Sequence, residues 1–177
     1  MKTILLGITG GIAAYKSALI ASLLNQSNFN VFTIMTKNAT QFITPLTLEV
    51  LTKNPVAVDT FQRQKTWEVE HISWAKKADL FLVAPATANF IGKYANGLAD
   101  DMLTTTALAC TCPVVIAPAM NENMYINPIV QNNLEKLKNL NVSFIGPGNG
   151  YLAEGVSALG RMEEPDKIVE FVKKILV

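Results

Sequence analysis

A single amide side chain, Asn121, stands where an apolar strand gives way to a turn. Residues 114–117 form an apolar run that ends at Pro118, and Asn121 follows within the segment APAMNENMY at 117–125. Open α/β folds bind ligands at the carboxyl ends of their strands, so we expect Asn121 to face a ligand. An uncharged amide suits holding a carboxylate that later leaves as carbon dioxide. Capping of a helix that begins at Glu122 is an equally good interpretation.

The chain has one histidine, His71, in a segment with the spacing of a helix. His71, Trp74, Ala75 and Ala78 share one helical face, because side chains three and four residues apart lie together. A lone histidine on an apolar stripe usually has a structural role, and it cannot hold zinc alone. An imidazole also exchanges protons near neutral pH, so His71 is the best candidate for a general base.

A glycine-rich turn, GITGGIAAYKS at 7–17, joins the first apolar strand to a helix. Backbone amides in such a turn can approach an anion, and the helix dipole favours a phosphate there. The turn is not a Walker A loop, because Tyr15 precedes Lys16 where a glycine is needed. It also lacks the G-x-G-x-x-G spacing of a dinucleotide site, and the second strand ends in Thr36 and Lys37 instead of an acidic residue. A mononucleotide such as FMN fits this pattern, and a simple tight turn is the alternative.

Small polar residues follow a further apolar run at 80–84, first as PATAN at 85–89 and then as NGLADD at 96–101. Hydroxyl and amide groups at a sheet edge can approach a flat ring and bond its polar edge, as isoalloxazine requires. Helix capping by Thr87 and by Asp100 is the favoured interpretation of these residues taken alone.

Composition narrows the possible functions. The chain of 177 residues is 50% apolar and only 16% charged, so we expect one domain whose surface is partly covered by other copies. A net charge of +1 without a basic cluster argues against nucleic acid or a charged membrane as a partner. No signal peptide or membrane-spanning run is present, which favours the cytoplasm. Cys110 and Cys112 lack the spacing of a zinc site or an ordinary disulfide, and we interpret them as small buried hydrophobic residues.

Apolar runs alternate with amphipathic segments along the whole chain, which predicts a single α/β domain with a doubly wound, flavodoxin-like or Rossmann-like parallel sheet. The predicted strands are 3–8, 30–35, 80–84, 114–117 and 142–145. The predicted helices are 12–24, 42–51, 70–78, 88–95, 101–109, 128–140 and 165–176. The glycine-rich segment at about 146–161 lacks periodicity and is predicted to form a mobile flap of this domain, 1–177.

Taken together, these motifs resemble the phosphopantothenoylcysteine decarboxylase family, which belongs to the homo-oligomeric flavin-containing cysteine decarboxylases. The resemblance covers nearly the whole chain in the same order, and the combination of motifs is specific. The matching segments are GITGGIAAYK at 7–16, MTKNATQFITPLT at 35–47, His71-Ile72, ADLFLVAPATANFIGKYANGLADDMLTT at 78–105 and APAMNENMY at 117–125.

The resemblance implies a homotrimer or a dodecamer with FMN at the subunit boundary. The cofactor residues it implies are Gly10, Gly11 and Thr36 at the phosphate, Ala86, Thr87, Ala88 and Asn89 along the ring and ribityl chain, and Ala119 beside the ring. The substrate residues it implies are His71 as the base, Asn121 as the clamp on the carboxylate, and Met124 and Ala153 as further contacts. No metal is implied.

The implied reaction converts 4′-phosphopantothenoylcysteine to 4′-phosphopantetheine in coenzyme A biosynthesis. A cysteine carboxylate has no electron sink until the thiol is oxidised by the flavin to a thioaldehyde. The carbanion left by carbon dioxide is then delocalised as an enethiolate, which must be reduced to complete the reaction.

One departure from the family pattern matters for the chemistry, whereas Tyr125, where relatives commonly have tryptophan, is a milder one. The family uses a cysteine in a G-x-L-A-C-G-type segment as the acid of the reductive half-reaction, but here the segment reads GYLAEG at 150–155, with Glu154 in that place. A carboxyl group is ordinarily ionised at neutral pH and is then a poor acid. Burial beside a flavin would raise its pKa, and we therefore hypothesise that Glu154 takes the acid role.

Two other functions are compatible with the residues. A peptidyl-cysteine oxidative decarboxylase stops at the enethiol and does not need the missing cysteine, although GITGGIAAYK and the Gly160-Arg161-Met162 end of the flap favour the small substrate. A flavin-binding regulatory subunit would have lost turnover, against which the presence of His71 and Asn121 argues. Relatives of this family also continue into a phosphopantothenoylcysteine synthetase domain, so such a domain or partner is expected.

Overall fold

The structure is a computed structural model and describes residues 1–61, 70–151, 153 and 155–176. The strands in that part of the chain are β1 Thr3–Ile8, β2 Asn30–Met35, β3 Val56–Ala57, β4 Leu80–Ala86, β5 Val114–Pro118, β6 Ser143–Phe144, β7 Gly148–Tyr151 and β8 Ser157–Arg161. The α-helices are α1 Tyr15–Gln26, α2 Pro45–Thr52, α3 Glu70–Lys77, α4 Ala88–Ala95, α5 Met102–Ala109, α6 Glu122–Tyr125, α7 Pro128–Asn139 and α8 Pro165–Leu176, and short 3-10 helices span Ile12–Ala14 and Ala39–Gln41.

Six strands form a parallel sheet in the order β3-β2-β1-β4-β5-β6. The order reverses between β1 and β4, where Ile4 to Gly7 pair with Leu80 to Val83. This is the doubly wound arrangement, and its carboxyl edge at the reversal is where such folds bind ligands. The predicted fold class is therefore confirmed, although β3 was not predicted, because two residues give no periodic signal.

The central strands are continuous apolar runs because helices cover both faces of the sheet. On one face, side chains of β1 and β4 pack with those of α1 and α8 in a buried cluster that includes Ile20, Leu24 and Val172. On the other face, α3, α4, α5 and α7 cover the sheet through residues that include Phe90 and Leu103. The two layers hold the strand ends in fixed positions.

Polar side chains set the start of the helices at the carboxyl edge. Thr87 caps α4, because its Oγ1 accepts a hydrogen bond from the Phe90 backbone N–H at 3.4 Å. Asp101 caps α5 in a reciprocal capping box with Thr104. The sequence prediction of Asp100 as this cap was wrong by one residue, and Asp100 instead pairs with Lys93.

A two-stranded antiparallel hairpin, β7–β8, occupies most of the segment predicted to be a flap. Glycines break the alternating pattern of these strands, so the sequence did not predict them. The hairpin is joined to the chain that follows β5, because Met120 N donates to Gly160 O at 3.0 Å. It therefore forms a wall beside the carboxyl edge of the sheet.

Candidate active site

A cleft of about 1240 Å³ opens at the carboxyl edge of the sheet, around the reversal of strand order. The loops after β1, β2, β4 and β5 line it together with the hairpin. Of the residues predicted from the sequence to bind the cofactor or the substrate, those that line the cleft are Gly10, Gly11, Thr36, Thr87, Ala88, Asn89, Ala119, Asn121, Met124 and Ala153.

The glycine turn after β1 packs closely against the loop after β2. A β-carbon at Gly10 would lie 2.4 Å from the Asn38 β-carbon, so only glycine fits there. Thr36 Oγ1 accepts from the Ala39 N–H at 3.2 Å, which fixes the Thr36 side chain at the cleft. The two loops thus form one narrow cradle of backbone and hydroxyl groups, which suits a phosphate.

Thr9 joins this cradle to the loop after β4, and sequence reasoning missed it. Its Oγ1 is buried, donates to the Pro85 carbonyl oxygen at 2.7 Å and accepts from the Thr87 N–H at 3.0 Å. A hydroxyl directly before a glycine pair could have indicated such a bridge. The bridge fixes the start of α4 relative to the glycine turn.

Ala86 differs from its neighbours in the predicted ring-binding segment. It is fully buried within β4 and is absent from the residues that line the cleft. Its carbonyl oxygen accepts from the Ala119 N–H at 3.0 Å and so ties β4 to the chain after β5. The structure therefore brings Thr87, Ala88 and Asn89 to the cleft but not the Ala86 side chain.

Asn121 both caps a helix and lines the cleft. Its Oδ1 accepts from the Asn123 N–H at 2.8 Å and from the Met124 N–H at 3.3 Å, which starts α6. The capping interpretation is thus confirmed. The cap uses the oxygen of the side-chain amide.

His71 lies on α3 and is partly exposed, but it is not among the residues that line the cleft of its own chain. Helix α3 packs on α5 and β1, where Trp74 is buried at 5.1 Å from the Phe32 ring. Glu154, the predicted acid, lies outside the described residues. The described part of one chain therefore brings Asn121, but not His71, to the cleft.

Three groups of charged side chains border the cleft. In the first group, Lys37 Nζ lies 3.5 Å from Asp59 Oδ2. Lys93 Nζ lies 2.8 Å from Asp100 Oδ1. The hydrogen bond between these two side chains raises the pKa of Lys93 and lowers the pKa of Asp100.

The third group lies where α1, β8 and α8 meet. The buried Lys16 and the cleft residue Arg161 both bond to the same Glu164 carboxylate oxygen, at 3.1 and 2.8 Å. Two cations on one carboxylate give this side of the cleft positive charge, which favours anionic ligands.

The described residues contain neither a cluster of His, Cys, Asp and Glu side chains suited to a metal nor a helix with the length and apolar character needed to cross a bilayer. Cys110 and Cys112 are free thiols and are only partly buried, so the prediction that both are buried was wrong in degree. They follow α5 and do not line the cleft.

The chain belongs to the Flavoprotein family, whose model matches residues 1–177. The resemblance seen in the sequence motifs is thereby confirmed. The chain is 50% identical over 173 residues to the coenzyme A biosynthesis bifunctional protein CoaBC of Bacillus subtilis, covering 98% of this chain and 43% of that protein. It thus spans less than half the length of this relative.

A relative of the same length is the probable phosphopantothenoylcysteine decarboxylase of Streptococcus mutans, which is 42% identical with 99% of both chains covered. Among solved structures, a PPC decarboxylase mutant complexed with pantothenoylaminoethenethiol superposes with a TM-score of 0.89 at 31% identity, covering 99% of this chain and 98% of that one. The FMN-dependent cysteine decarboxylase SpaF gives 0.83 at 29% identity, covering 100% and 98%.

Proposed function

We propose that this chain is an FMN-dependent decarboxylase that converts 4′-phosphopantothenoylcysteine to 4′-phosphopantetheine in coenzyme A biosynthesis. The observation that carries the proposal is the single cleft that gathers Gly10, Thr36 and Asn121 from three different loops. The relatives named for this activity support it, including one of equal length.

The residues of the cleft fit FMN. The phosphate would bind the Gly10 and Gly11 backbone and the Thr36 hydroxyl, which line the cleft at the carboxyl edge of the sheet. The ring and ribityl chain would lie along Thr87, Ala88 and Asn89. Bound FMN supplies the two-electron oxidation of the cysteine thiol that gives the carboxylate an electron sink.

Asn121 would hold the substrate carboxylate. The cap bonds to Asn123 and Met124 fix the amide orientation before the substrate arrives, so little ordering is needed on binding. A neutral amide orients the carboxylate without stabilising its ground state by charge, which leaves the barrier to loss of carbon dioxide low. Met124 and Ala153 would contact the rest of the cysteine residue.

His71 would act as the base from a neighbouring copy of the chain. His71 does not line the cleft of its own chain, and at a subunit boundary it would face the cleft of a neighbouring copy. Exposed apolar side chains on α1, α2 and the turns before them would be buried by other copies in a homotrimer or dodecamer. These residues are Ile12, Tyr15, Leu19, Phe42, Leu46 and Val50.

Mixing two inactive variants tests this shared site. His71→Ala and Asn121→Ala remove different halves of the site, so oligomers that contain both variants regain some intact clefts. We expect each variant alone to be inactive and the mixture, refolded together, to recover a fraction of the wild-type rate. Absence of recovery in a mixture that forms normal oligomers would show that His71 serves its own chain or is not catalytic.

Glu154 would donate the proton in the reductive half-reaction, in place of the usual cysteine. A single turnover with the wild type should then yield 4′-phosphopantetheine, whereas Glu154→Gln should accumulate the enethiol and Glu154→Cys should restore the full product. Accumulation of the enethiol by the wild type would contradict this role and favour the peptidyl-cysteine type of reaction.

The substrate is tested by comparing two compounds. Phosphopantothenoylcysteine and a peptide ending in cysteine are incubated separately with the FMN-loaded protein, and products are identified by mass spectrometry. We expect decarboxylation of the first and little of the second. A cytoplasmic location and a synthetase domain or partner, which supplies this substrate, belong to the same proposal.

A further inference from the structure

The hairpin β7–β8 meets the chain after β5 at an interface that the sequence motifs do not explain. Met120 N donates to Gly160 O at 3.0 Å, as in a short piece of β ladder. A β-carbon at Gly160 would lie 2.1 Å from the Met120 carbonyl oxygen, so the two backbones are in the closest contact that glycine allows. The hairpin is thus seated directly beside Asn121.

This ladder cannot continue through the backbone. After Asn121 the chain turns into α6, and the carbonyl oxygens of Asn121 and Glu122 accept helical hydrogen bonds, from Tyr125 N at 3.0 Å and from Ile126 N at 2.9 Å. The backbone therefore offers no acceptor in register with Leu159. The carboxylate of Glu122 takes that place, because its Oε1 accepts from the Leu159 N–H at 3.1 Å.

We infer that Glu122 is a positioning residue that seats the β7–β8 hairpin against the Asn121 turn and so sets the substrate side of the cleft. The inference rests on the proposed function for the identity of the substrate. Gly160, Arg161 and Tyr151 of the hairpin line the same cleft as Asn121 and Met124. When the hairpin is held in register, its residues stay at a fixed distance from the Asn121 turn. Substrate binding then costs less conformational entropy, because the site is already ordered.

A different explanation of Glu122 predicts a different result. An acidic residue in the first turn of a helix can act through its charge on the helix dipole. Glu122→Gln distinguishes the two, because the amide oxygen of glutamine still accepts a hydrogen bond from Leu159 while the charge is lost. Glu122→Ala removes both, and Glu135→Ala removes an exposed carboxylate from α7 as a matched control.

The first measurement is amide hydrogen exchange of the peptide that contains Leu159. Because the Leu159 N–H loses its side-chain acceptor, we expect exchange in Glu122→Ala to be about tenfold faster than in the wild type. Glu122→Gln and Glu135→Ala should both exchange at the wild-type rate. Equal exchange in Glu122→Ala and the wild type, or loss of protection in Glu122→Gln equal to that in Glu122→Ala, overturns the inference.

The second measurement separates positioning from general stability. In Glu122→Ala we expect KM for phosphopantothenoylcysteine to rise about tenfold with kcat within about twofold and an unchanged melting temperature, because the chemical groups remain. A fall in kcat alone, or an unchanged KM, overturns the inference. A wild type that forms no product refutes the proposed function instead, and the exchange experiment still decides whether Glu122 seats the hairpin.

Discussion

Gly10 and Asn38 are in contact across two loops: a β-carbon at Gly10 would lie 2.4 Å from the Asn38 β-carbon and 2.8 Å from the Asn38 carbonyl carbon. This contact joins the turn after β1 to the loop after β2, the two segments proposed to hold the FMN phosphate.

Gly10→Ala should push the two loops apart and weaken FMN binding by at least about tenfold, because the added methyl meets backbone that has little room to move. Titration of FMN fluorescence against the flavin-free protein measures the change. Gly92→Ala is the control, since its β-carbon would meet only Asn133 Nδ2 at an ordinary 3.7 Å and it lies in helix α4. Equal affinities for Gly10→Ala and Gly92→Ala would contradict the proposed phosphate cradle.

Thr9→Val should lower the free energy of unfolding by about 1–3 kcal/mol, because the buried Pro85 carbonyl oxygen and the Thr87 N–H both lose their bond to the hydroxyl. Thr9→Ser keeps the hydroxyl, so its free energy of unfolding should fall much less. Urea denaturation at a fixed subunit concentration gives both values. If the valine and serine variants unfold at the same urea concentration, the bridge does not stabilise the fold.

Asn121→Asp should separate the two roles of this residue. Aspartate caps helices as well as asparagine does, so the free energy of unfolding should change by less than about 0.5 kcal/mol in Asn121→Asp. In Asn121→Ala, which has no cap, it should fall by about 1 kcal/mol. The added negative charge would face the substrate carboxylate, so kcat/KM should fall by at least about tenfold, since like charges at close range repel strongly. Wild-type kcat/KM in a stably folded Asn121→Asp variant would remove Asn121 from the substrate site.

The two thiols should differ in reactivity. A hydrogen bond from the Cys110 thiol stabilises the Cys112 thiolate and lowers the pKa of Cys112, while the same bond and burial raise the pKa of Cys110. Because the thiolate is the reactive form, iodoacetamide should modify Cys112 first, at a pH below that needed for an ordinary cysteine. Peptide mass spectrometry assigns the site. In Cys110→Ala, the pH dependence of Cys112 modification should move to higher pH. Modification of Cys110 before Cys112 in the wild type would contradict this prediction.

Most of the fold could be predicted from the sequence because its signals are local. The strands Thr3–Ile8 and Asn30–Met35 and the helices Ala88–Ala95 and Pro165–Leu176 have the predicted bounds. Their apolar runs and helical periodicity extend over enough residues to predict a strand or a helix. Strand β3 and the hairpin strands are short or rich in glycine, and tertiary hydrogen bonds define them instead.

The candidate site was predictable only in part. Strand ends and glycine turns indicated Gly10, Gly11 and Asn121, which the structure brings to one cleft. The buried bridge of Thr9 and the carboxylate of Glu122 depend on residues more than 30 positions away in the chain, so no local pattern reveals them. The position of His71 outside its own cleft likewise depends on how α3 packs.

FMN-dependent decarboxylation is tested most directly by the product that the purified protein forms from phosphopantothenoylcysteine, measured by mass spectrometry with and without FMN. We expect 4′-phosphopantetheine when FMN is bound and unchanged substrate when FMN has been removed. Unchanged substrate in the presence of FMN, or equal conversion in its absence, would refute FMN-dependent decarboxylation by this protein.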